Sequence, residues 1–294
     1  MLRRRISSVL AALAIAAAMP VLLPAQNASA AACSSYPNWV AGKAYVTGDI
    51  VRYTDGKAYI AEHDNPGYDP TISTWYWEPY ACDSGPGNSA FVVSEAQFNQ
   101  MFPSRNSFYS YSGLVTAMSA YPAFANTGSD TVKRQEAAAF LANVSHETGG
   151  LVHIVEQNTS NYPTYCDWNQ PYGCPAGQAA YYGRGPIQLS WNFNYKAAGD
   201  ALGIDLLGNP WLVQNDSAVA WKTALWYWNT QSGPGTMTGH NAMVNGAGFG
   251  QTIRSINGSL ECDGRNPAQV QSRVNNYQRF VGILGTSPGG NLYC

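Results

Sequence analysis

The sequence predicts a mainly α-helical domain that follows a small β-rich module. Apolar residues recur at the spacing of a buried helical face in five stretches, 111–121, 131–147, 191–202, 217–228 and 267–284. Between 90 and 294, strand patterns are confined to 151–156 and 186–190. Residues 33–82 instead alternate short apolar runs with turn residues, a pattern typical of short strands. The helical part, roughly 200 residues long, is large enough to enclose a core of its own.

Residues 1–30 carry the features of an export signal. Three arginines, Arg3–Arg5, precede an apolar stretch from Val9 to Leu23, and Ala28-Ser29-Ala30 is a small-residue cleavage site. Prolines interrupt the apolar stretch, and no later stretch of sequence approaches the roughly 18 continuous apolar residues of a membrane span. The sequence therefore predicts a secreted, extracellular protein with no membrane partner.

The charge of the exported part argues against a nucleic-acid partner. Removing three Arg and no acid with the signal takes the formal net charge from −2 to −5, and charged residues make up only 12% of the chain. A mildly acidic protein lacks the basic surface that phosphate backbones require. Aromatic residues are abundant, with 9 Trp, 19 Tyr and 9 Phe, and such rings suit either core packing or stacking on sugar faces.

The cysteines predict a disulfide framework. All six lie after the signal, and an even number in an oxidising compartment indicates three disulfides. The count alone leaves 15 connectivities open. The pairs expected are local ones: Cys33–Cys82, Cys166–Cys174 and Cys262–Cys294.

The β-rich module is expected to span 31–82, with 83–89 as a linker and 90–294 as the helical domain. Asp-Ser-Gly-Pro-Gly-Asn-Ser at 83–89 has the composition of a connecting segment. Within the module, the segments 45–53 and 55–61 indicate short strands joined by an Asp-Gly turn. So small a piece cannot enclose a large core, so a disulfide staple is expected.

The stretch from His146 to Glu156 organises the helical domain. Glu147 follows the apolar stripe of the 131–147 helix, and Gly149 and Gly150 are residues of the type that ends helices. On an unbroken helix, residues nine apart would be rotated by about 180° and displaced by about 13.5 Å. The glycine break lets the chain fold back, so we expect Glu156 to face Glu147 across a cleft.

Different surroundings are expected for these two carboxyl groups. Apolar burial and the negative end of the helix both favour a protonated Glu147, which would serve as a general acid. The polar run at 157–161 favours an ionised Glu156, a general base. Such a division of roles is most often used in glycoside hydrolysis. A glutamate at a helix end can also be a solvated residue or the partner of a buried arginine, and that alternative stays open.

No metal site is expected around these residues. The His-Glu-x-x-His zinc pattern would need a second histidine at position 150, which is Gly150. His146 and His153 are separated by the helix break. Neither a metal nor an organic cofactor is needed for the predicted chemistry.

The segment 181–195, Tyr-Tyr-Gly-Arg-Gly-Pro-Ile-Gln-Leu-Ser-Trp-Asn-Phe-Asn-Tyr, resembles the signature of the family 19 chitinases. The His-Glu-Thr-Gly-Gly run around Glu147 is similar to that family's catalytic-acid segment, and Asn257 and Arg273 match its C-terminal site positions. The resemblance spans essentially all of 90–294. It implies a lysozyme-like, bilobal, mainly α-helical fold and cleavage of β-1,4 links between N-acetylglucosamine units with inversion.

The resemblance also implies roles for individual residues. Glu147 would be the acid, Glu156 the base, and Ser190 would help hold the attacking water. Arg273 would interact with the base carboxylate and set its charge. The sugar would be hydrogen-bonded by three amides, Gln188, Asn194 and Asn257. Each of these residues could instead have a structural role. Ser190 could cap a helix, the three amides could hydrogen-bond to loop backbone, and Arg273 could bind a backbone turn. Inversion needs room for a water, so the two carboxyl groups should lie roughly 6.5–9.5 Å apart.

Residues 33–82 resemble the small chitin-binding modules of carbohydrate-binding families 5 and 12. They share a Trp-x-x-x-x-x-Tyr start at Trp39, a Gly-Asp-x-Val strand and a late aromatic cluster. By this resemblance Trp75 and Tyr76 would be exposed rings that stack on chitin, with Trp39 and Trp77 ambiguous. The alternative is that all these rings are core.

The sequence thus predicts a secreted, monomeric chitinase whose partner is chitin, with a chitin-degrading or antifungal role. Glu156 follows Glu147 by only nine positions, whereas plant members carry an inserted loop between the two carboxylates, so a more open cleft with fewer subsites is expected. Two alternatives remain. One is a cell-wall muramidase or endolysin, which the chitin-binding module argues against. The other is a non-catalytic chitin-binding lectin, which the presence of Glu147, Glu156 and Ser190 argues against.

Overall fold

The structure, a computed structural model, describes residues 36–54, 57–73, 75–80 and 91–294. The chain divides into two compact units, Met1–Gly85 and Pro86–Cys294. Four predicted features lie outside the described residues. These are the export signal, the Cys33–Cys82 pair, the Asp55-Gly56 turn and the linker at 83–89.

The N-terminal unit contains a three-stranded antiparallel sheet in the order β1-β2-β3. The strands are β1 (Ile50–Arg52), β2 (Ala58–Ala61) and β3 (Trp77–Tyr80). Val51 lies opposite Tyr59 in the ladder. One side of the sheet packs into a small core, which consists of Tyr45, Val51, Tyr59, Ala61 and Trp77. The two strands predicted from alternation correspond to β1 and β2.

The C-terminal unit is built from helices. They are α1 (Glu95–Met101), α2 (Tyr111–Met118), α3 (Asp130–Thr148), α4 (Asn192–Leu202), α5 (Leu212–Asn215), α6 (Ser217–Thr230), α7 (Gly239–Val244), α8 (Phe249–Glu261) and α9 (Pro267–Ile283). Two short 3₁₀ segments, Thr159–Tyr165 and Gln178–Ala180, lie between α3 and α4. All five helical stretches predicted from apolar spacing are helices, namely α2, α3, α4, α6 and α9. The mainly helical prediction is confirmed.

The helices outside the five predicted stretches differ in how strong a local signal their sequence carries. α1 begins with a complete capping box, in which Ser94 and Gln97 each accept from the other's backbone N–H. α5 and α7 were not predicted because helices of four and six residues are too short for a periodic pattern. α8 was also missed, and its course is interrupted at Asn257, which has φ −142° and ψ 27°.

Helix α3 runs through the core. Its residues from Glu136 to Ser145 are all buried, so no polar face remains along that length. It packs against α9, α7 and α8. The Phe140 ring meets Phe124 at 5.0 Å and Trp228 at 5.5 Å between centroids. A helix held on several sides places its last turn with little freedom.

The end of α3 follows the predicted glycine mechanism. Gly149 adopts the left-handed conformation, with φ 61° and ψ 41°, and its N–H donates to the Ser145 carbonyl. Gly150, with φ 83°, donates to the same carbonyl at 2.7 Å. The strand predictions at 151–156 and 186–190 are wrong. These segments form only isolated bridges, Val155 with Arg184 and Arg184 with Leu189, and the chain turns at Gly185, with φ 71°, inside the second bridge.

Two predicted disulfides are present, Cys166–Cys174 and Cys262–Cys294. The first closes a short loop before α4 and the second fastens the C-terminus to the end of α8. Among the helices in the described part of the chain, none is both long enough and apolar enough to cross a bilayer.

Candidate active site

A cleft of about 560 Å³ lies where α3 ends. Six of the predicted site residues line it: Glu147, Glu156, Gln188, Ser190, Asn194 and Asn257. They come from the last turn of α3, the 151–156 loop, the 181–190 loop, the first turn of α4 and α8. The glycine reversal therefore places both carboxylates on one cavity, as an unbroken helix could not.

Glu147 contacts a buried arginine. Arg273, on α9 and only 1% exposed, donates from Nη2 to the Glu147 carboxylate. The same guanidinium binds Glu261 through Nε and Nη2, each at 2.8 Å, and donates from Nη1 to Asn143 Oδ1 at 3.1 Å. One cation thus lies between two carboxylates.

This arrangement corrects two predictions. Arg273 was expected beside the base, Glu156, but it pairs with Glu147 and Glu261 instead. The reason is that α9 packs along α3, while Glu156 lies beyond the chain reversal at Gly149. The apolar setting expected for Glu147 is also wrong, because its carboxyl group is held by this ion pair and its side chain is 19% exposed.

The charges of this cluster are set by burial and mutual attraction. Burial raises the pKa of Glu261, but the hydrogen bonds and charge of Arg273 outweigh it, so that pKa lies below its ordinary value. Burial would lower the pKa of Arg273, yet the charges of Glu147 and Glu261 raise it overall. Glu261 is therefore a carboxylate whose negative charge is paired with the arginine. Asn257 Nδ2 adds a further bond to Glu261 Oε1 at 2.7 Å.

Glu156 has a different environment. Its Oε1 accepts from Asn161 Nδ2 at 2.8 Å and from the Tyr165 hydroxyl at 3.0 Å. Its Oε2 accepts from the backbone N–H of Gly183 at 3.4 Å. The side chain is half-buried at the cleft wall. Neutral donors therefore surround this carboxylate, whereas an arginine contacts the other.

The predicted sugar-binding amides have part of their hydrogen-bonding capacity satisfied by the protein. Gln188 Nε2 donates to the Gly185 carbonyl at 3.0 Å, and Asn194 Nδ2 to the Ser190 carbonyl at 3.0 Å. Asn257 Nδ2 donates to Glu261, as described above. The alternative that these amides satisfy local structure is thus partly correct. Each also lines the cleft. Gln188 is held at φ 51°, an unusual conformation for a residue with a side chain.

Four residues of the site were not identified from the sequence: Asn143, Asn161, Tyr165 and Glu261. Two of them carried usable signals. Glu261 follows Asn257 by four residues, the spacing at which helical side chains meet, and Tyr165 follows Asn161 by the same interval. Asn143 carried no such signal, because its contact with Arg273 spans 130 residues.

Some aromatic residues of the N-terminal unit are accessible to solvent, whereas others belong to its core. Trp75 is 68% exposed and stacks on His63, with centroids 4.5 Å apart. Tyr76, which was expected to be exposed, is instead half-buried, because it packs against the small core and stacks on Tyr68 at 5.1 Å. Trp77 is 2% exposed and belongs to the core, so its ambiguity is resolved.

Comparisons with known proteins agree with this geometry. Residues 92–294 match the family 19 glycoside hydrolase model, described as class I chitinase. Endochitinase A of Zea mays is 44% identical over 214 residues, covering 70% of this chain and 72% of that protein. The crystal structure of a bacterial family 19 chitinase is 82% identical, with a TM-score of 0.69, and covers 69% of this chain and 100% of that one.

Chitinase C from Streptomyces griseus HUT6037 is a further solved relative. It is 76% identical with a TM-score of 0.70, and the match covers 71% of this chain and 100% of that one. These structures place the helical unit in the lysozyme-like fold class that the sequence predicted. The chain therefore belongs to the family 19 glycoside hydrolases, the class I chitinases.

Proposed function

We propose that this protein hydrolyses β-1,4 links between N-acetylglucosamine units of chitin with inversion, using Glu147 as the acid and Glu156 as the base. The observation that carries the proposal is the pair of carboxylates on one cleft with contrasting partners. An inverting glycosidase needs one carboxyl group that can give a proton and another that can accept one.

The ion cluster suits Glu147 to proton donation. Arg273 carries one positive charge and Glu261, held as a carboxylate, carries one negative charge. Because these two charges nearly cancel, a proton on Glu147 leaves the cluster close to neutral. Glu147 would then protonate the glycosidic oxygen as the bond to the anomeric carbon breaks.

Glu156 is suited to activating water. Hydrogen bonds from Asn161 and Tyr165 stabilise its charged form without a cation that would weaken it as a base. The separation of 6.5–9.5 Å proposed between the two carboxyl groups would leave room for the attacking water. Ser190, on the same cleft, would supply a hydroxyl to hold that water.

The amides would orient the substrate. Gln188, Asn194 and Asn257 each donate from their NH₂ group to the protein, so their carbonyl oxygens would accept from sugar N–H and O–H donors. This is the recognition that an N-acetylated sugar requires, since both its amide and its hydroxyls can donate.

One experiment tests the reaction and its stereochemistry together. Wild-type protein and Glu147→Gln are incubated with a chitin hexamer, and the anomers of the first products are followed by NMR. We expect α-anomers from the wild type and a loss of turnover of at least 100-fold in the variant, because general acid catalysis contributes roughly that much. Initial β-anomers would contradict inversion, and wild-type turnover by Glu147→Gln would contradict its role as acid.

The same assay separates the alternative functions. A muramidase or endolysin would release reducing ends from bacterial walls in preference to glycol chitin. A lectin would bind the hexamer without forming products.

We further propose that residues 31–82 bind chitin, through Trp75 and Tyr76. An exposed indole stacked on a second ring offers a flat, preoriented face for a sugar. Trp75→Ala should lower binding to insoluble chitin by roughly 10-fold, since losing a stacking ring costs about 1–3 kcal/mol in comparable aromatic platforms. The matched control is Trp211→Ala, which removes a partly exposed tryptophan of the helical unit. Equal binding by both variants and the wild type would count against this assignment.

The remaining proposals concern the location, the oligomeric state and the biological role of the protein. We propose secretion directed by residues 1–30, a monomeric state and a chitin-degrading, antifungal role. A hyphal-growth assay with the intact protein tests the last of these, and unaffected growth would count against it.

A further inference from the structure

The Glu156 carboxylate is held by hydrogen bonds from nearby residues that are not part of the arginine cluster. In the described chain, its side chain accepts hydrogen bonds from three neutral donors. Two of them, Asn161 Nδ2 at 2.8 Å and the Tyr165 hydroxyl at 3.0 Å, bind the same oxygen, Oε1. The Gly183 N–H approaches Oε2 at 3.4 Å, a weaker contact. The two carboxylate oxygens are therefore unequal.

Both Oε1 donors belong to one short segment, Thr159–Tyr165. A second phenol of this segment, Tyr162, donates to the backbone carbonyl of Glu156 at 2.9 Å. The Tyr162 ring stacks on Tyr182 at 3.6 Å between centroids, with an angle of 11° between planes. The Cys166–Cys174 disulfide follows directly. The 159–165 segment is thus anchored in its middle through Tyr162 and directly after its last residue by the disulfide, while it holds the backbone and the side chain of Glu156.

Tyr165 remains a donor at any pH at which the enzyme could work. Burial, and next its hydrogen bond to Glu156, raise the pKa of Tyr165 to about 12. Its ring meets the edge of Trp191 at 5.6 Å, on the wall of the cleft. A phenol that keeps its proton can only donate to the carboxylate beside it, so it orients that group without competing for the proton of water.

The other ionisable groups around Glu156 are placed differently. His153 and Glu147 line the same cleft. Arg184 is buried over the Tyr182 ring and donates to Gln214 at 2.7 Å. Among the described residues, none of these groups hydrogen-bonds the Glu156 carboxyl. The contacts of the Glu156 carboxyl group are therefore with neutral donors.

We propose that Tyr165, assisted by Asn161, is a positioning residue that occupies Oε1 and so directs Oε2 of Glu156 at the attacking water. In this step the water oxygen bonds to the anomeric carbon and its proton passes to Oε2. The glycosidic bond breaks, and its oxygen takes the proton of Glu147. The inference deepens the proposed function and rests on the role of Glu156 as base.

The test compares two single-hydroxyl deletions in the full protein, Tyr165→Phe and Tyr162→Phe. Both keep a ring in the same segment, but only the first removes a donor from the carboxylate. With a chitin hexamer, Tyr165→Phe should lower kcat by roughly 10- to 100-fold through misorientation while KM changes less than about twofold. Its kcat/KM profile should also lose activity at a higher pH on the acidic side, by about one unit, because one donor to the charged form is gone.

Tyr162→Phe should leave that acidic limb where it is in the wild type. Asn161→Ala removes the other donor to Oε1, so its acidic limb should move in the same direction as that of Tyr165→Phe. This variant supplies the test if Tyr165→Phe fails to fold. Equal displacement in Tyr162→Phe would overturn the proposal, because general loosening of the segment would then explain the effect. The proposal would also be overturned if Tyr165→Phe and Asn161→Ala both kept the kcat and the pH profile of the wild type.

Glu156→Gln distinguishes a failure of the positioning role of Tyr165 from a failure of the assignment of Glu156 as the base. If Glu156→Gln loses turnover while Tyr165→Phe matches the wild type, the base role stands and the positioning role fails. If Glu156→Gln retains wild-type turnover, the base assignment itself fails, and the positioning role with it.

Discussion

The arginine shared by two glutamates makes a sharp prediction about Glu261→Gln. This change keeps the shape of a buried side chain and removes its charge. Arg273 would then face Glu147 as its one remaining carboxylate in the cluster. Because the guanidinium charge would no longer be cancelled, it should hold Glu147 in its ionised form and deplete the proton donor.

The stability cost can be worked from the contacts. Glu261 accepts from Arg273 Nε and Nη2 at 2.8 Å and from Asn257 at 2.7 Å. A glutamine keeps one acceptor oxygen and turns an NH₂ group toward the guanidinium, so at least one charge-assisted bond is lost. That loss costs about 1.5–3 kcal/mol. For a domain of about 200 residues, each kcal/mol lowers Tm by about 2–4 °C, so a fall of roughly 3–12 °C is expected.

The decisive measurement is the pH profile of kcat/KM on a chitin hexamer. In Glu261→Gln the basic limb, where the acid loses its proton, should move to lower pH by about one unit or more. Glu136→Gln is the matched control. Glu136 is also fully buried, and it accepts from Trp228 Nε1 and the Ala125 N–H, each at 3.0 Å. Its variant should lose stability while its basic limb stays in place. A folded Glu261→Gln with an unmoved basic limb would refute the charge argument.

Two further predictions concern stability. A hydrogen bond to Glu136 raises the pKa of His240 against the opposing effect of burial. The pair should therefore stabilise the fold fully below about pH 6.5 and progressively less as the pH rises through the folded-state pKa. Urea unfolding from pH 5 to 9 should show a gap between wild type and His240→Gln that narrows with pH, and a gap that widens would contradict this. Gly149→Ala places a side chain at φ 61°, with its Cβ 3.2 Å from His153 Cδ2, and should cost about 1–2 kcal/mol. Gly282→Ala in α9 has no neighbour within 4 Å and should cost nothing, and equal thermal unfolding of the two variants would argue against strain at Gly149.

Much of the helical unit could be predicted because the signals are local. Apolar residues three and four apart mark α3 and α9 whatever they pack against, and Ser94 with Gln97 forms its capping box within one turn. The reversal after Glu147 depends on Gly149 and Gly150, which both adopt a positive φ that residues with a Cβ avoid. Those features required no knowledge of the rest of the chain.

By itself, then, the sequence determined that two carboxylates nine residues apart are separated by a chain reversal and can line one cleft. Only the tertiary structure decided what each of them contacts. Arg273 lies 126 residues from Glu147, and it reaches Glu147 rather than Glu156 because α9 packs along α3. A backbone turn is governed by the residues within it, whereas the partner of a buried charge depends on which helix faces meet, and that is settled when the whole core packs.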